Sequence, residues 1–277
     1  VTADTPYPRM VVAGVDGILA TVRGDWTRMR AAHEDGERIC RRIGLERSWE
    51  ASFLRAYWAL GEYYAGEPTR ALAMLGELAG ASDDLISRAM LGSYRGRALV
   101  LDGNLAAARA VLGELDAAPA SRRGLAAIYR QVFAGELALA EGDHARARAI
   151  GDELARTARA QWLSAMPTVS AMIDVLCATA ELGLGEAARA RRRARTLYRR
   201  GRRSFYAATA LRLWAQAEGQ LGHRAAAQQV LARASAVAAE RGGKIDRLAI
   251  AALAGERVDM GPLAAAVAWS TGGAIRG

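Results

Sequence analysis

The chain has 277 residues, 52% of them hydrophobic, and is long enough to bury a substantial core. Aromatic residues make up only 6% and prolines number 6, whereas alanine and leucine are abundant, so the composition favours helices and argues against an all-β fold. The formal charge of +9 comes almost entirely from arginine, because Lys244 is the only lysine among 38 basic residues; an anionic partner or GC-rich coding would each explain this bias.

Residues 1–10 are predicted to form an extension ahead of the folded region, and they contain no recognisable secretory signal peptide. The longest apolar stretch, residues 11–22, contains Asp16 and is shorter than the roughly 20 residues that span a membrane. Cys40 and Cys177 lie far apart, and a repeat array brings only neighbouring units together, so we expect reduced thiols. These features predict a soluble, cytoplasmic protein without a membrane span.

Residues 11–242 are organised by a glycine that recurs at intervals of 37 to 42 residues. In five of the six copies a small residue stands five positions after the glycine, and in five of six another stands seven positions before it. Small residues are needed where two helices cross closely, so each copy predicts a helix A, a turn at the glycine and a helix B. The predicted turn glycines are Gly24, Gly66, Gly103, Gly142, Gly183 and Gly222.

The segments beside these turns have the apolar period of helices, and in residues 105–115 the apolar side chains fall on one helix face. One hairpin cannot bury such a stripe alone, so the copies must stack. The sequence therefore predicts an all-α fold, a right-handed α-solenoid of about six antiparallel helix pairs.

Beyond Gly242 and Gly243, residues 243–277 are predicted to cap the open end of this stack. Two further helices are expected at residues 244–254 and 262–269, the second beginning at a proline, which suits the first turn of a helix. Residues 270–277 are predicted to be a poorly ordered tail.

The repeated unit resembles the tetratricopeptide repeat over roughly residues 11–242. The resemblance rests on the signature positions occupied by Ala59, Gly66 and Ala71 in one copy and by Gly135, Gly142, Asp143 and Ala147 in another. The sequence departs from the family in two ways. Its period exceeds the usual 34 residues, and the family's early tryptophan is replaced by Arg55, Gly92, Gln131, Met172 and Leu211. Such long repeats are similar to the sensor arrays of bacterial signalling kinases and regulatory ATPases, which implies a docking or sensing role.

Motifs of catalysis and metal binding are not found in the sequence. The three histidines, His33, His144 and His223, lack a second ligand three or four residues away. The sequence contains no phosphate-binding loop, nucleophile elbow or paired-histidine zinc motif. We therefore predict no catalytic residues, no metal site and no cofactor.

Helix A lines the concave surface in this type of array, so we expect partner-binding residues there. Tyrosine and phenylalanine recur nine residues before the turn glycines and predict an apolar stripe for a peptide, although packing between repeats is the alternative. The predicted groove residues are Tyr57, Tyr94, Arg97, Phe133, Glu136, Asp174, Arg212 and Gln216.

The fifth helix B is rich in arginine, with nine arginines between Arg189 and Arg203 on a segment about 22 Å long. Only Glu186 lies in the segment to balance them, so we expect a basic strip that attracts anions. Nucleic acid, an anionic membrane surface, an acidic protein domain and simple solvation remain open, and an acidic protein is favoured over nucleic acid. The residues of the strip are Arg189, Arg192, Arg193, Arg199, Arg200 and Arg203.

These features predict a non-catalytic protein–protein interaction scaffold, the docking or sensing domain of a larger bacterial signalling protein. A protein or peptide, including an acidic one, would bind in the concave groove. One alternative is an anion-binding or nucleic-acid-binding protein that uses the arginine-rich helix, and another is a small-molecule sensor enclosed by the superhelix. Self-association through the outermost repeats is also compatible with the sequence.

Overall fold

The computed structural model describes residues 5–78, 85–118 and 124–272, and within these ranges the chain is all-α and has no strand. This confirms the prediction of an all-α fold. Short 3-10 turns precede α9 and α14. The helices are α1 (Pro6–Arg23), α2 (Trp26–Arg42), α3 (Trp49–Ala65), α4 (Pro68–Leu78), α5 (Leu85–Leu101), α6 (Leu105–Ala117), α7 (Gly124–Ala140), α8 (His144–Ala160), α9 (Pro167–Gly183), α10 (Ala187–Gly201), α11 (Tyr206–Gln220), α12 (Arg224–Arg241), α13 (Lys244–Leu253) and α14 (Ala264–Ser270).

Five of the six predicted turn glycines, all but Gly183, adopt a left-handed backbone with φ between 76° and 85°. Glycine is favoured there because other residues suffer a clash of their Cβ atom. The next residue often begins helix B by capping it. Asp25, Asn104 and Asp143 each accept a hydrogen bond from the backbone N–H three residues on, at 2.9 to 3.2 Å.

The fifth turn is formed by Gly185, with φ of 75°, and the prediction of Gly183 was wrong by two residues. Gly183 is the last residue of α9, where a Cβ atom would lie 2.4 Å from the ring of His144. It is therefore small because another helix approaches closely. With Gly185 as the reference, the small residues five after and seven before it are Ala190 and Ala178, and both are completely buried.

The stacking of successive helices A depends on the small residues seven positions before the turn glycines. A Cβ atom on Gly96 would come within 2.2 Å of Phe133, and one on Gly135 within 2.5 Å of Leu176. Phe133 and Leu176 both lie nine residues before their own turn glycine. We call this place in the repeat the stacking position; its occupants are Val15, Tyr57, Tyr94, Phe133, Leu176 and Leu213.

Buried glutamates four residues before the turn glycine join neighbouring helices in three copies. Glu62 accepts a hydrogen bond from Arg30 of α2 at 2.7 Å, and Glu181 accepts one from Arg148 of α8 at 2.5 Å. Glu218 accepts a hydrogen bond from Arg191 of α10 at 3.5 Å and one from Trp214 of its own helix at 2.8 Å. A carboxylate that is removed from water needs such partners, so these pairs fix how the helices align.

The first and last hairpins come together. The backbone N–H of Phe205, just before α11, donates to the carbonyl of Val22 at 3.0 Å, and the indole of Trp26 donates to the carbonyl of Gly242 at 3.0 Å. The first turn therefore contacts the segment before α11 and the end of α12, and the array closes on itself instead of forming an open curved stack. Its handedness and the number of six pairs stay predictions.

The carboxyl-terminal helices lie close to where the sequence placed them, but they do more than cap the last hairpin. α13 packs on α11 and α12, whereas α14 reaches back to α5 and α7 on the inner side of the array. α1 begins at Pro6, inside the segment predicted to be an extension. Most of the predicted tail, residues 273–277, lies outside the described ranges.

Candidate functional site

A half-open chamber of about 110 Å³ lies between the helices A and the carboxyl-terminal helices. Helices α3, α5, α7, α9 and α11 form its wall, and α13 and α14 complete the lining. Much of its lining is aromatic. The aromatic residues that line it are Tyr63, Tyr64, Phe205, Tyr206 and Trp269.

An ion pair between two predicted groove residues lines one side of the chamber. The guanidinium of Arg97, only 2% exposed, donates to both oxygens of Glu136, at 2.9 and 2.8 Å. It also lies over the ring of Tyr63, 4.4 Å from the centroid. Burial alone would lower the pKa of Arg97, but Glu136 outweighs this effect and holds that pKa well above its usual value. Arg97 therefore stays charged and is already fully engaged.

Two other predicted groove residues hold the protein's own carboxyl-terminal segment. Arg212 pairs with Asp246 of α13 at 2.9 Å and donates to the carbonyl of Ser270 at 2.6 Å. Gln216 donates to the carbonyl of Thr271 at 2.8 Å. The inner face thus binds peptide backbone through predicted residues, and the peptide belongs to the same chain.

The remaining predicted groove residues do not share one surface. Phe133 is completely buried and Tyr94 is 2% exposed. Both therefore pack between repeats, which was the alternative to an apolar stripe for a peptide. Tyr57 is half-buried, and its ring lies tilted against that of Phe53 with 4.5 Å between the centroids. Asp174 accepts a hydrogen bond from Arg193 at 3.2 Å, and the shifted fifth turn explains why it is not a stacking residue.

The arginine strip on α10 is partly neutralised. Arg193 donates to Glu181 at 3.1 Å as well as to Asp174, both on α9, so the expectation that only Glu186 balances the strip was wrong for this residue. Arg189 pairs with Glu186 at 2.9 Å. Sequence reasoning could not see the carboxylates that another helix brings to α10. The other four members of the strip are exposed: Arg192, Arg199, Arg200 and Arg203.

An apolar surface on α1 was missed by the sequence analysis. Of the ten large hydrophobic side chains exposed in the described ranges, five lie on this helix. Their spacing puts them on one side, and the opposite side of α1 is buried against α2. A second apolar face on a helix at the edge of a repeat array is the signal that could have revealed it. We call this surface the α1 face; it comprises Tyr7, Val11, Val12, Val15 and Leu19.

The buried cysteines and the buried histidine His33 have ordinary structural roles. Both cysteines are free and buried, and burial raises the pKa of Cys177 to about 11, which keeps the thiol protonated. Burial lowers the pKa of His33 to about 4, although Glu62 opposes the shift. Neither ring nitrogen of His33 has a hydrogen-bond partner among the residues that the structure describes.

Comparison with known proteins gives this chain no family. No protein-family profile matches the sequence, and no curated protein matches it either. Within residues 5–78, 85–118 and 124–272, no group of three or more His, Cys, Asp or Glu side chains is placed to hold a metal ion. None of the helices in these ranges combines the length and apolarity needed to cross a bilayer.

Proposed function

We propose that the chain is a non-catalytic protein-binding module, a right-handed array of six tetratricopeptide-like helix pairs that serves as the docking part of a larger signalling protein. The observation that carries this proposal is the α1 face. Contiguous exposed apolar surface on a protein that has a filled core marks an interaction site. The protein partner docks on this face, because the inner face that was predicted to bind it already holds the carboxyl-terminal helices.

The repeat itself indicates what kind of partner fits. Val15 occupies the stacking position of the first copy and is 51% exposed, whereas the stacking residues of the third to sixth copies are buried by adjoining helices. Two of these stacking residues, Phe133 and Leu176, are covered by a neighbouring helix A that has glycine seven residues before its own turn. The partner is therefore a helical hairpin whose facing helix offers a small residue to Val15. Complete burial of a valine or leucine side chain contributes about 1.5–3 kcal/mol, so a few such residues suffice for a stable contact.

A photo-crosslinking amino acid at position 15 tests this docking site. We expect the full chain carrying it, in an extract of the source organism, to crosslink to one helical segment of a partner protein, as mapped by mass spectrometry. Adding Val11→Asp should reduce the yield at least tenfold, because a charge on the same face would be buried without a partner.

The matched control carries the same amino acid at position 184, since Leu184 is also an exposed apolar residue but lies in the fifth turn. Comparable crosslinking from both positions, or none from position 15, would contradict the proposal. Crosslinks to a second copy of the chain would identify self-association as the docking event.

A further inference from the structure

Another half-open cavity, of about 610 Å³, lies where the first hairpin meets the segment between α10 and α11. The backbone hydrogen bond from Phe205 to Val22 joins the two regions beside it, so the cavity depends on the closed arrangement of the array. Its lining comes from the end of α1, the first half of α9 with the residues before it, and the end of α10 with the residues after it. Small-molecule sites occupy about 300–1,000 Å³, so this volume suits a ligand with an organic body.

Three arginines from different parts of the chain line this cavity. Arg23 ends α1, Arg200 lies in the last turn of α10, and Arg203 follows that helix. All three are exposed, and none makes an ion pair or a side-chain hydrogen bond with another residue of the described ranges. Arg200 and Arg203 belong to the predicted basic strip, whereas Arg23 is distant in sequence and joins them only through the fold.

The lining has little negative charge to balance these guanidinium groups. Its only carboxylate among the described residues is that of Asp174, which already accepts a hydrogen bond from Arg193 at 3.2 Å. The start of α9 has no side-chain cap and adds the partial positive charge of a helix amino terminus to that of the arginines. The cavity therefore attracts anions.

A purely structural role does not account for all three arginines. Basic residues in the last turn of a helix offset the negative end of its dipole, and Arg23 and Arg200 are placed to do so. Arg203 lies beyond the end of α10, so the dipole does not explain its position. Nor does that role require the three side chains to line one cavity.

The lining also indicates what kind of anion fits. A phosphate group carries up to two charges and three acceptor oxygens, and it matches guanidinium groups in bidentate geometry, so it engages three arginines better than a carboxylate does. The hydroxyls of Ser164 and Thr168 line the same cavity and are further donors. The apolar part of the lining suits an organic body attached to the phosphate. It includes Val22, Ala165, Pro167, Ala171 and Leu197.

We propose that this cavity is a binding site for a small organic phosphate, whose phosphate group is held by Arg23, Arg200 and Arg203 and whose apolar body lies against α9 and α10. The ligand contacts the first hairpin on one side and the fifth on the other, so binding fastens the closure of the array. The site shares no residue with the α1 face and does not depend on docking there.

Three small molecules test the proposal on the unmodified chain. Phenyl phosphate has the phosphate and an apolar ring, benzyl alcohol keeps a ring without a charge, and inorganic phosphate has the charge without a ring. At pH 8, about two units above the second pKa of a phosphate, both phosphates are mainly dianions. By isothermal titration calorimetry we expect one phenyl phosphate per chain, bound at least about tenfold more tightly than benzyl alcohol, as for one or more charged hydrogen bonds. Inorganic phosphate should bind more weakly than phenyl phosphate.

Arginine variants locate the binding. Arg23→Gln and Arg203→Gln should each weaken phenyl phosphate binding by about tenfold or more, because each removes a charged donor. Arg192→Gln is the matched control, since Arg192 is an exposed arginine of the same strip that does not line the cavity. It removes the same charge and should change the affinity by less than about twofold, because solvent and salt screen a charge outside the site. Circular dichroism would establish that each variant is folded.

Failure of phenyl phosphate to bind the unmodified chain at millimolar concentration would overturn the proposal, as would equal affinity for phenyl phosphate and benzyl alcohol. Inorganic phosphate binding as tightly as phenyl phosphate would also overturn it, because the apolar lining would then contribute nothing. An equal loss of affinity in Arg192→Gln and Arg203→Gln would show attraction to the net charge of the chain instead of a site.

Discussion

The first and last hairpins of the molecule follow the same repeat but differ in how their stacking residues are covered. At the stacking position, Val15 of α1 is 51% exposed, whereas Leu213 of α11 is completely buried. Both residues are aliphatic, so hydrophobicity does not account for the difference. Burial at this place in the repeat is set by the helices that pack beside it.

The preceding hairpin covers Leu213, which shares a hydrophobic cluster with Ala178 of α9 and Ala190 of α10, and the carboxyl-terminal segment covers a further part of the last hairpin. Arg212 and Gln216 hold the carboxyl-terminal segment, and Thr209 adds a hydrogen bond to Asp246 at 2.7 Å. These contacts are polar and directional, so they fix the position of α13 and α14 as well as covering the surface. The outer side of α1 has an apolar surface without a comparable set of polar contacts in the described ranges.

Truncation at the two equivalent positions should have very different effects. Leu213→Ala removes packed methyl groups from a closed core and should lower the free energy of unfolding by about 2–5 kcal/mol. Val15→Ala removes side-chain atoms that are half in water and should change it by less than about 0.5 kcal/mol. Urea denaturation followed by circular dichroism would measure both.

Equal losses from the two variants would contradict this comparison. A large loss for Val15→Ala that grows with protein concentration would have a different meaning, because a self-associated α1 face couples stability to concentration. Measurements at two concentrations separate the two cases.

The helical architecture could largely be read from the sequence because it depends on local signals. Left-handed glycines and capping side chains act over a few residues, and they place five of the six turns correctly. The fifth turn was misplaced because Gly183 and Gly185 both fit the spacing. The small-residue pattern could have decided between them, since Ala178 and Ala190 agree only with Gly185.

The inner face could not be predicted in the same way. Whether a repeat array stays open depends on small angles that accumulate over all its hairpins, and no local signal encodes their sum. The sequence identified Arg212 and Gln216 as residues that bind a peptide, but only the closed arrangement shows that α14 and the residue after it supply the peptide. The pairing of Arg193 with Glu181 was hidden for the same reason.

The histidines of the first and last hairpins offer a second contrast, because the buried ring of His33 has no hydrogen-bond partner within the described residues, whereas His223 is exposed beside Glu218. The pKa of His33 is lowered by burial from 6.5 to about 4 in the folded protein. The unfolded chain therefore binds more protons between these pH values, so the stabilising effect of neutral His33 is complete above pH 6.5 and is lost as pH falls toward 4. The loss should reach up to about 3 kcal/mol.

His33→Phe keeps a ring in the same pocket but cannot titrate. The free energy of unfolding of the unmodified chain should fall more steeply between pH 6.5 and pH 4 than that of the variant. All other ionisable groups are shared, so their contributions cancel in the difference. Parallel pH profiles would show that His33 is protonated as easily in the folded protein as in the unfolded chain.

The smallest expected effect concerns the turns themselves. At the first turn, the side chain of Asp25 accepts a hydrogen bond from the N–H of Arg28 at 3.0 Å, whereas His223, at the last turn, makes no side-chain cap. Asp25→Ala should cost about 1 kcal/mol of unfolding free energy, the usual value of an N-cap, and Asp25→Asn should restore most of it because an amide oxygen also accepts.

His223→Asn would place a capping side chain where none exists, at the loss of the contact with Glu218, so any gain there must be smaller than the loss at Asp25. If Asp25→Ala and Asp25→Asn were equally destabilised in urea, the charge of Asp25 near Arg28 would matter more than its hydrogen bond.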